Sequence, residues 1–596
     1  MLSAHLFPSP SEISEKKGLF NKPKSLSVHF QNSSFESLIP VSPIPLNKVG
    51  KSSADLIFIQ TDLGHKEAYK IECESTGITI NSNTANGALY ALHTLKQIFT
   101  LFTENPIPCF EISDYPLLRR RGFMLDVSRC KVPTMESIFS LIDLLSQLRY
   151  NELQLYIEHT FAFVDHPTVW QEASPLTGKE IQEIDKYCRE RFIELVPNLN
   201  SFGHFERWLR HEPYKKLAEC PEGFHRDEPY MIRDHGSVLK PNQESLDFID
   251  SLYEEYLPNF SSKKFNVGLD EPWELGQGWS KPQVDAKGKG IVYLEHLKGI
   301  LNAVENRGKS MEFWADVLLE NPENAKFLPL NASPIIWGYE ADHPFEDQAR
   351  TLSACGLNFS LAPGTANWRS FSGRWQTARK NLESACKNAH KYSAEGILLT
   401  TWGDCGNHQP WATLYAPLFL ASQLAWNGGD KTDEDIALAL DRDVFLSPSC
   451  GLGQAFIELG NLDQKLEFTL PNNSLSWFSL FTAQPDKLVK HISEQTSVSK
   501  LKDGLASLEK INPGRFQTTN NLSVEWAVQE LQIGVDLSKV GILNALTLID
   551  KNSDYSKHLP ANPELIERFK KVWLLRARNG GLKEAVQLLK GAIEKT

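Results

Sequence analysis

From residue 119 to about residue 427, short apolar runs alternate with amphipathic stretches. The runs fall at 123–126, 153–157, 193–197, 265–268, 311–314, 335–337, 358–361 and 397–400. They are short, nearly uninterrupted in hydrophobicity and bounded by polar residues, as strands buried on both faces are. In the gaps the apolar positions recur at helical spacing; Ile138, Leu141, Ile142, Leu145 and Leu148 form one such stripe. Eight strands alternating with helices predict an α/β fold of the (β/α)8 TIM-barrel type rather than an open sheet. The longest gap, between the third and fourth runs, contains 220–236 and predicts a loop excursion over the barrel mouth.

The segment before the barrel has a different rhythm. Residues 55–60 make an apolar run of strand length, and Tyr69, Ile71 and Cys73 alternate with charged residues. Thr76-Gly77 supplies a turn before Ile78 and Ile80 resume the alternation, which predicts a β-hairpin. Asn83 or Thr84 is placed to cap a helix carrying Leu89, Leu92, Leu95 and Phe99 on one face. Beyond Asn427 the strand signal stops; Leu565, Phe569, Val572 and Leu575 lie at helical spacing, with Asn579-Gly580-Gly581 as the stop. The expected division is a small α/β domain (1–115), the barrel (116–430) and a helical C-terminal domain (431–596).

Composition narrows the function. With 596 residues, 41% apolar and 23% charged, the chain has material for two or three cores. A net charge of -12, with both signs interspersed and no Lys/Arg cluster, excludes the basic footprint of a nucleic-acid partner. The start has no basic stretch followed by an apolar run, so no secretory signal is read. No stretch approaches the roughly 18 uninterrupted apolar residues of a membrane helix. The nine cysteines show no CxxC pairing, which fits thiols in a reducing compartment, and a cytoplasmic location is expected.

Several familiar motifs are incomplete. Gly308-Lys309-Ser310 has Ala303 where a phosphate loop needs glycine, and His211-Glu212 is followed by Pro213 without a second histidine. Gly451 and Gly453 are followed by Phe456 rather than a third glycine. No nucleotide, metal or other cofactor is expected.

The segment 265–273 carries the chemistry: Phe-Asn-Val-Gly-Leu-Asp-Glu-Pro-Trp is an apolar strand ending in Asp270-Glu271. Burying two adjacent carboxylates is costly, and their repulsion raises one pKa toward that of an acid useful near neutral pH. Trp314, Trp337 and Trp402 stand at other predicted strand ends. Indoles with carboxylates at their edges suit sugar rings, which present apolar C–H faces rimmed by hydroxyls. Catalytic groups of this architecture come from the carboxyl ends of the strands.

The stretch Arg121-Gly122-Phe123-Met124-Leu125-Asp126, the Asp270-Glu271 pair and Trp402-Gly403-Asp404 together resemble glycoside hydrolase family 20. The segment 69–99 is similar to the α/β domain that precedes the barrel in that family, so the resemblance spans roughly 50–430. It implies an exo-acting, retaining β-N-acetylhexosaminidase in which the substrate's own 2-acetamido group is the nucleophile. Glu271 would then be the acid/base, and Asp270 would hold the acetamido N–H. Arg121 would bond the O3/O4 edge, Trp314 and Trp337 would wall the acetamide pocket, and Trp402 would stack under the ring. Asp404 would bind O4 or O6, and His159, His204, Tyr339 and Trp368 would complete the carbohydrate site.

The sequence also departs from the family pattern. Asn200 stands four residues before His204 where the family has Asp, which removes an Asp–His dyad. Glu158-His159 follows the second strand, making His159 a replacement partner for Glu271. Asp404 is one methylene shorter than the usual Glu. The strand-seven tyrosine that bonds the acetamide carbonyl is absent from 362–369, leaving Tyr339 as its substitute. Two other readings remain open: a metal-dependent barrel hydrolase using His159, His204, Asp126 and Asp316, and a sugar-binding barrel without turnover.

Overall fold

Two large sheets organise the chain in the computed structural model, which describes residues 5–594 except 104–105, 227–230, 321, 449, 483, 517–521, 551–554 and 556–561. The first sheet comprises β1 (Glu12–Phe20), β2 (Leu26–Phe30), β3 (Leu46–Lys48), β4 (Leu56–Gln60), β5 (Tyr69–Glu74), β6 (Gly77–Ser82) and β7 (Ile107–Asp114), in the order β1-β7-β5-β6-β4-β2-β3. The expected hairpin is β5–β6, antiparallel from Tyr69 opposite Ser82 to Glu74 opposite Gly77. Helix α1 (Ala85–Leu101) follows, its first turn capped by the Thr84 side chain, which accepts from the Gly87 N–H. β1 gives no hydrophobic signal because it is an edge strand: seven of its nine residues are exposed, and their charges protect an unpaired edge.

The second sheet is a closed parallel barrel of β8 (Arg120–Asp126), β9 (Glu152–Ile157), β10 (Glu194–Leu199), β13 (Lys264–Asn266), β14 (Ser310–Trp314), β15 (Ala332–Trp337), β16 (Ser360–Ala362) and β17 (Gly396–Thr401), where β17 pairs back onto β8. All eight predicted runs are strands. Every residue of β8, β9 and β17 is buried, which is why these strands read as apolar runs rather than alternating ones. The expected excursion contains the hairpin β11 (Phe224–Arg226) and β12 (Met231–Arg233). It is fastened to the loop after β13, where the Glu274 carboxylate accepts from the N–H and hydroxyl of Ser237 at 2.6 and 2.7 Å.

The first sheet covers the amino-terminal end of the barrel. Asp114 accepts from Arg149 at 2.8 Å and from the Trp426 indole at 2.8 Å, binding both layers together. After the last barrel helix, Tyr415–Asn427, the described chain is helical. Its long helix Leu522–Ile549 is apolar enough over 523–549 to cross a membrane, yet 61% of its most apolar window is buried inside the molecule, where it serves as the core helix of the C-terminal bundle. The helix Asn562–Arg576 buries Leu565, Phe569 and Trp573, and ends slightly before the glycine stop. Past that end the chain reaches the barrel-mouth loops. Arg207 forks onto Glu584 with two bonds of 2.7 Å, and Arg578 donates to the carbonyls of Pro133 and Pro175 at 3.2 and 2.9 Å. The helices thus buttress the loops that follow β8, β9 and β10.

Candidate active site

The fourth barrel strand stops short of its apolar run. After Asn266 the chain turns through Gly268, Leu269 and Glu271, all at positive φ (73°, 71° and 48°). For a residue with a side chain this conformation costs about 1–2 kcal/mol, so neighbouring groups must hold it. A Cβ at Gly268 would meet the Asn200 side chain at 2.0 Å, and one at Gly203 would meet the Asp270 carbonyl at 2.4 Å. These two glycines let the loops after β10 and β13 lie directly on one another, which brings His204 to the Asp-Glu pair.

His204 Nε2 lies 3.2 Å from Asp270 Oδ2 and 3.5 Å from Glu271 Oε2. Burial opposes charge on this imidazole, but Asp270 bonded to it, with Glu271 behind, raises it to about 10. The other Asp270 oxygen, Oδ1, is buried and has no hydrogen-bond partner within the protein. Burial pushes the Glu271 carboxyl up to about 7, with Asp270 and Asp404 adding to the rise and His204 opposing it. A carboxyl in that range is protonated often enough to act as an acid and still accept a proton back. Asp316 accepts from the Glu271 N–H at 3.0 Å and, through burial and the nearness of Asp270, is raised to about 8.

Arg121 is not at this site. It is the second residue of β8, at the amino-terminal end, where its guanidinium donates to Glu67 at 2.7 Å and to the Arg149 carbonyl at 2.7 Å. All barrel strands point the same way, so only the far end of β8 reaches the mouth. The arginine that does so is Arg129, three residues past Asp126. It donates to Asp126 at 3.1 Å and to Glu158 at 2.9 Å, and lies 3.3 Å from His204 Nδ1 and 5.2 Å from the Trp402 ring centre. Asp126 in turn accepts from the Gly403 N–H at 2.9 Å and so ties the loop after β17 to β8. Arg129 was legible by the same strand-end rule that singled out Asp126.

His159 also falls elsewhere. Side chains alternate along β9, so Tyr156 and Glu158 face the barrel interior while His159 turns outward among Arg207, Arg210 and Glu206. Burial first, then those arginines, hold it down to about 3, and no described bond joins it to Glu271. The carboxylate facing His204 Nδ1 is Glu158, at 3.8 Å, and burial raises it to about 7 against the pull of Arg129. A carboxylate therefore does face the histidine, supplied by the residue that follows β9. Asn200 bonds the Tyr156 hydroxyl at 2.6 Å.

Aromatic residues fill the rest of the mouth. Trp337 stacks on Tyr339 with ring centres 5.3 Å apart and planes 21° apart; Tyr339 meets Trp368 edge-on at 5.0 Å; and Trp314 lies 6.1 Å from Trp402. Trp314 and Trp368 are 0% and 1% exposed, so they back the box from behind rather than presenting faces to it. Trp337 is half-buried, Tyr339 and Trp402 are buried but each keep 8% of their surface open, and half-buried Asp404 stands within electrostatic reach of Glu271 and Arg129. Among the described residues, no group of three or more His, Cys, Asp or Glu side chains is arranged to hold a metal ion.

Comparison with known proteins gives a consistent picture. Residues 119–395 match the catalytic domain of glycosyl hydrolase family 20, and residues 4–115 match domain 2 of the same family. A β-hexosaminidase of Porphyromonas gingivalis is 24% identical over 363 residues, a match covering 53% of this chain and 45% of that protein. The chain therefore spans about half the length of the curated relatives it matches. Among solved structures, the exo-β-N-acetylglucosaminidase of Vibrio harveyi in complex with N-acetylglucosamine has the same fold, with a TM-score of 0.61 at 17% identity over 77% of this chain and 78% of its own. The Flavobacterium johnsoniae chitobiase aligns over 96% of this chain and 99% of its own, with a TM-score of 0.58 at 19% identity.

Proposed function

Because the chain belongs to glycosyl hydrolase family 20, we propose that it is a retaining exo-β-N-acetylhexosaminidase that removes terminal GlcNAc or GalNAc by substrate-assisted catalysis. The observation that carries this reading is the division of labour within the Asp-Glu pair. Asp270 has one oxygen held by His204 and the other buried without a protein partner, while Glu271 is raised to about 7. A free acceptor suits an amide N–H, and a half-protonated carboxyl suits proton transfer. Two carboxylates of the usual nucleophile-and-acid kind would each have to meet the anomeric carbon's substituents; adjacent residues with such different partners fit the substrate-assisted scheme better.

In the first step Glu271 gives its proton to the glycosidic oxygen as the C1–O bond breaks. The acetamide carbonyl oxygen forms the new bond to C1, and Asp270 accepts the acetamido N–H while offsetting the positive charge of the oxazolinium ring. In the second step the Glu271 carboxylate takes a proton from water as that water attacks C1 and reopens the ring. Two inversions give net retention. Arg129 is the donor for the O3/O4 edge, Asp404 the acceptor for O4 or O6, Trp402 the platform under the ring, and Trp337 with Tyr339 the wall of the acetamide pocket. The Tyr339 hydroxyl supplies the bond to the carbonyl oxygen that strand seven lacks. His204 holds Asp270 in place.

The test is turnover of 4-nitrophenyl β-GlcNAc and β-GalNAc together with inhibition by the thiazoline analogue of the oxazolinium ring. Hydrolysis of at least one substrate and strong thiazoline inhibition are expected. Sugar binding without hydrolysis of either would leave a non-catalytic lectin-like barrel instead.

A further inference from the structure

We propose that Asp316 is a positioning residue that locks the proton donor and the wall of the acetamide pocket into one arrangement, a role that rests on the reading of Glu271 and Trp337 above. Asp316 stands two residues past the end of β14 and opens the short helix Asp316–Glu320. Its Oδ2 accepts from the main-chain N–H of Glu271 at 3.0 Å, and its Oδ1 lies 3.5 Å from the indole Nε1 of Trp337. One carboxyl therefore reaches two parts of the site that come from different strands.

Both of its partners need holding. Glu271 sits at a φ of 48°, a conformation a glutamate does not adopt unaided, and the N–H that Asp316 receives is its own. Trp337 is the more exposed half of the stacked Trp337–Tyr339 pair, and it is the half that Asp316 touches. Asp270 and Glu271 face Asp316 from the loop after β13, and Tyr293 approaches from the helix Lys289–Glu305, its hydroxyl donating to the Leu269 carbonyl at 3.2 Å. Burial, with the Asp270 carboxylate nearby, raises the Asp316 carboxyl well above the ordinary range of an aspartate. Asparagine is the replacement that keeps its shape.

That chemistry separates the two contacts. In Asp316→Asn the amide oxygen can still accept the Glu271 N–H, but the amide NH2 then opposes the indole N–H of Trp337, donor against donor. Asp316→Ala removes both contacts. With 4-nitrophenyl β-GlcNAc, Asp316→Ala is expected to lower kcat about 100-fold, the scale of a displaced catalytic group. Asp316→Asn is expected to keep kcat within about 3-fold while weakening thiazoline inhibition about 10-fold, the equivalent of one lost hydrogen bond. Trp337→Phe removes the same indole donor from the other side. It should weaken thiazoline inhibition by a similar factor, and the Asp316→Asn/Trp337→Phe double variant should be no worse than either single one.

Several results overturn the proposal: wild-type kcat in Asp316→Ala, equal kcat losses in the Asn and Ala variants, or additive effects in the double variant. If the alanine variant does not fold, Asp316→Asn and the double variant decide the matter alone. An inactive wild-type enzyme would refute the underlying hydrolase reading. An active enzyme indifferent to Asp316 would refute only the role of this residue.

Discussion

His204 and Asp270 are joined by a 3.2 Å hydrogen bond from Nε2 to Oδ2, and that bond determines which carboxylate oxygen is left for a ligand. The imidazole is itself flanked on its Nδ1 side by Glu158 and Arg129. A line of groups from β8, β9 and β10 thus ends on a single unpartnered oxygen beside Glu271. Catalysis by electrostatic preorganisation depends on such fixed acceptors, since nothing must reorient as charge develops.

Glu271→Gln removes the transferable proton and keeps the shape of the side chain. Turnover should fall by about 10²–10⁴-fold on glycosides with poor leaving groups, the usual worth of general acid–base help. The loss should be smaller on activated aryl glycosides, whose oxygen needs less protonation. Steady-state kinetics on one substrate of each kind checks this; equal and small losses would remove Glu271 from the acid role.

The two arginines of β8 and its loop should behave in opposite ways. Arg129→Ala should lower kcat/KM by about 10–100-fold through loss of charge-assisted bonds at the mouth. Arg121→Met should leave kcat of the folded enzyme unchanged and cost about 3–5 kcal/mol of stability, because Glu67 is left buried without its partner. Denaturant unfolding paired with kinetics separates the two outcomes.

Much of this architecture was legible beforehand, and the exceptions share a cause. Strands buried on both faces announce themselves as apolar runs, so all eight barrel strands could be read, and with them the position of Asp270-Glu271 just beyond the fourth. Direction along a strand is harder to read. Arg121 and Arg129 lie eight positions apart at opposite ends of the barrel, and only the rule that parallel strands share one polarity tells them apart. Facing is harder still: Glu158 and His159 are neighbours, and a one-residue difference sends one inward and the other outward. Charged edge strands such as β1 carry no apolar signal at all. The premature end of β13 follows from close backbone approach at Gly203 and Gly268, which periodicity does not report.

The pH dependence follows from Glu271. Its acid form, needed for the first step, is fully present below about 7 and is lost as pH rises through that value, so kcat/KM should fall on the alkaline side of about pH 7. The positive charge of His204 pulls the Glu271 pKa down. His204→Gln should therefore move this alkaline limb to higher pH while lowering the plateau, because Asp270 loses its anchor. A limb that stays fixed, or moves to lower pH, would contradict the assignment. Profiles of kcat/KM for both proteins provide the check.

In the proposed mechanism Asp404 accepts from O4 or O6, and GlcNAc and GalNAc differ only in the orientation of O4. Asp404→Ala should raise KM and change the ratio of activities on the two epimers, and Asp404→Glu should change it again by reaching one methylene further. An unchanged ratio in a folded variant would take Asp404 out of sugar selection.

The central claim is that the acetamide carbonyl attacks C1 while Asp270 holds its N–H. The most direct measurement is the hydrolysis rate of a series of 4-nitrophenyl glycosides carrying acetyl, monofluoro-, difluoro- and trifluoroacetyl groups on N2. Each fluorine withdraws electrons from the carbonyl oxygen and barely alters the size of the group. Participation predicts a steep, stepwise fall in kcat/KM along the series, tenfold for every ~1.4 kcal/mol added to the activation barrier. A flat series, with all four substrates hydrolysed at similar rates, would show that some other nucleophile attacks C1.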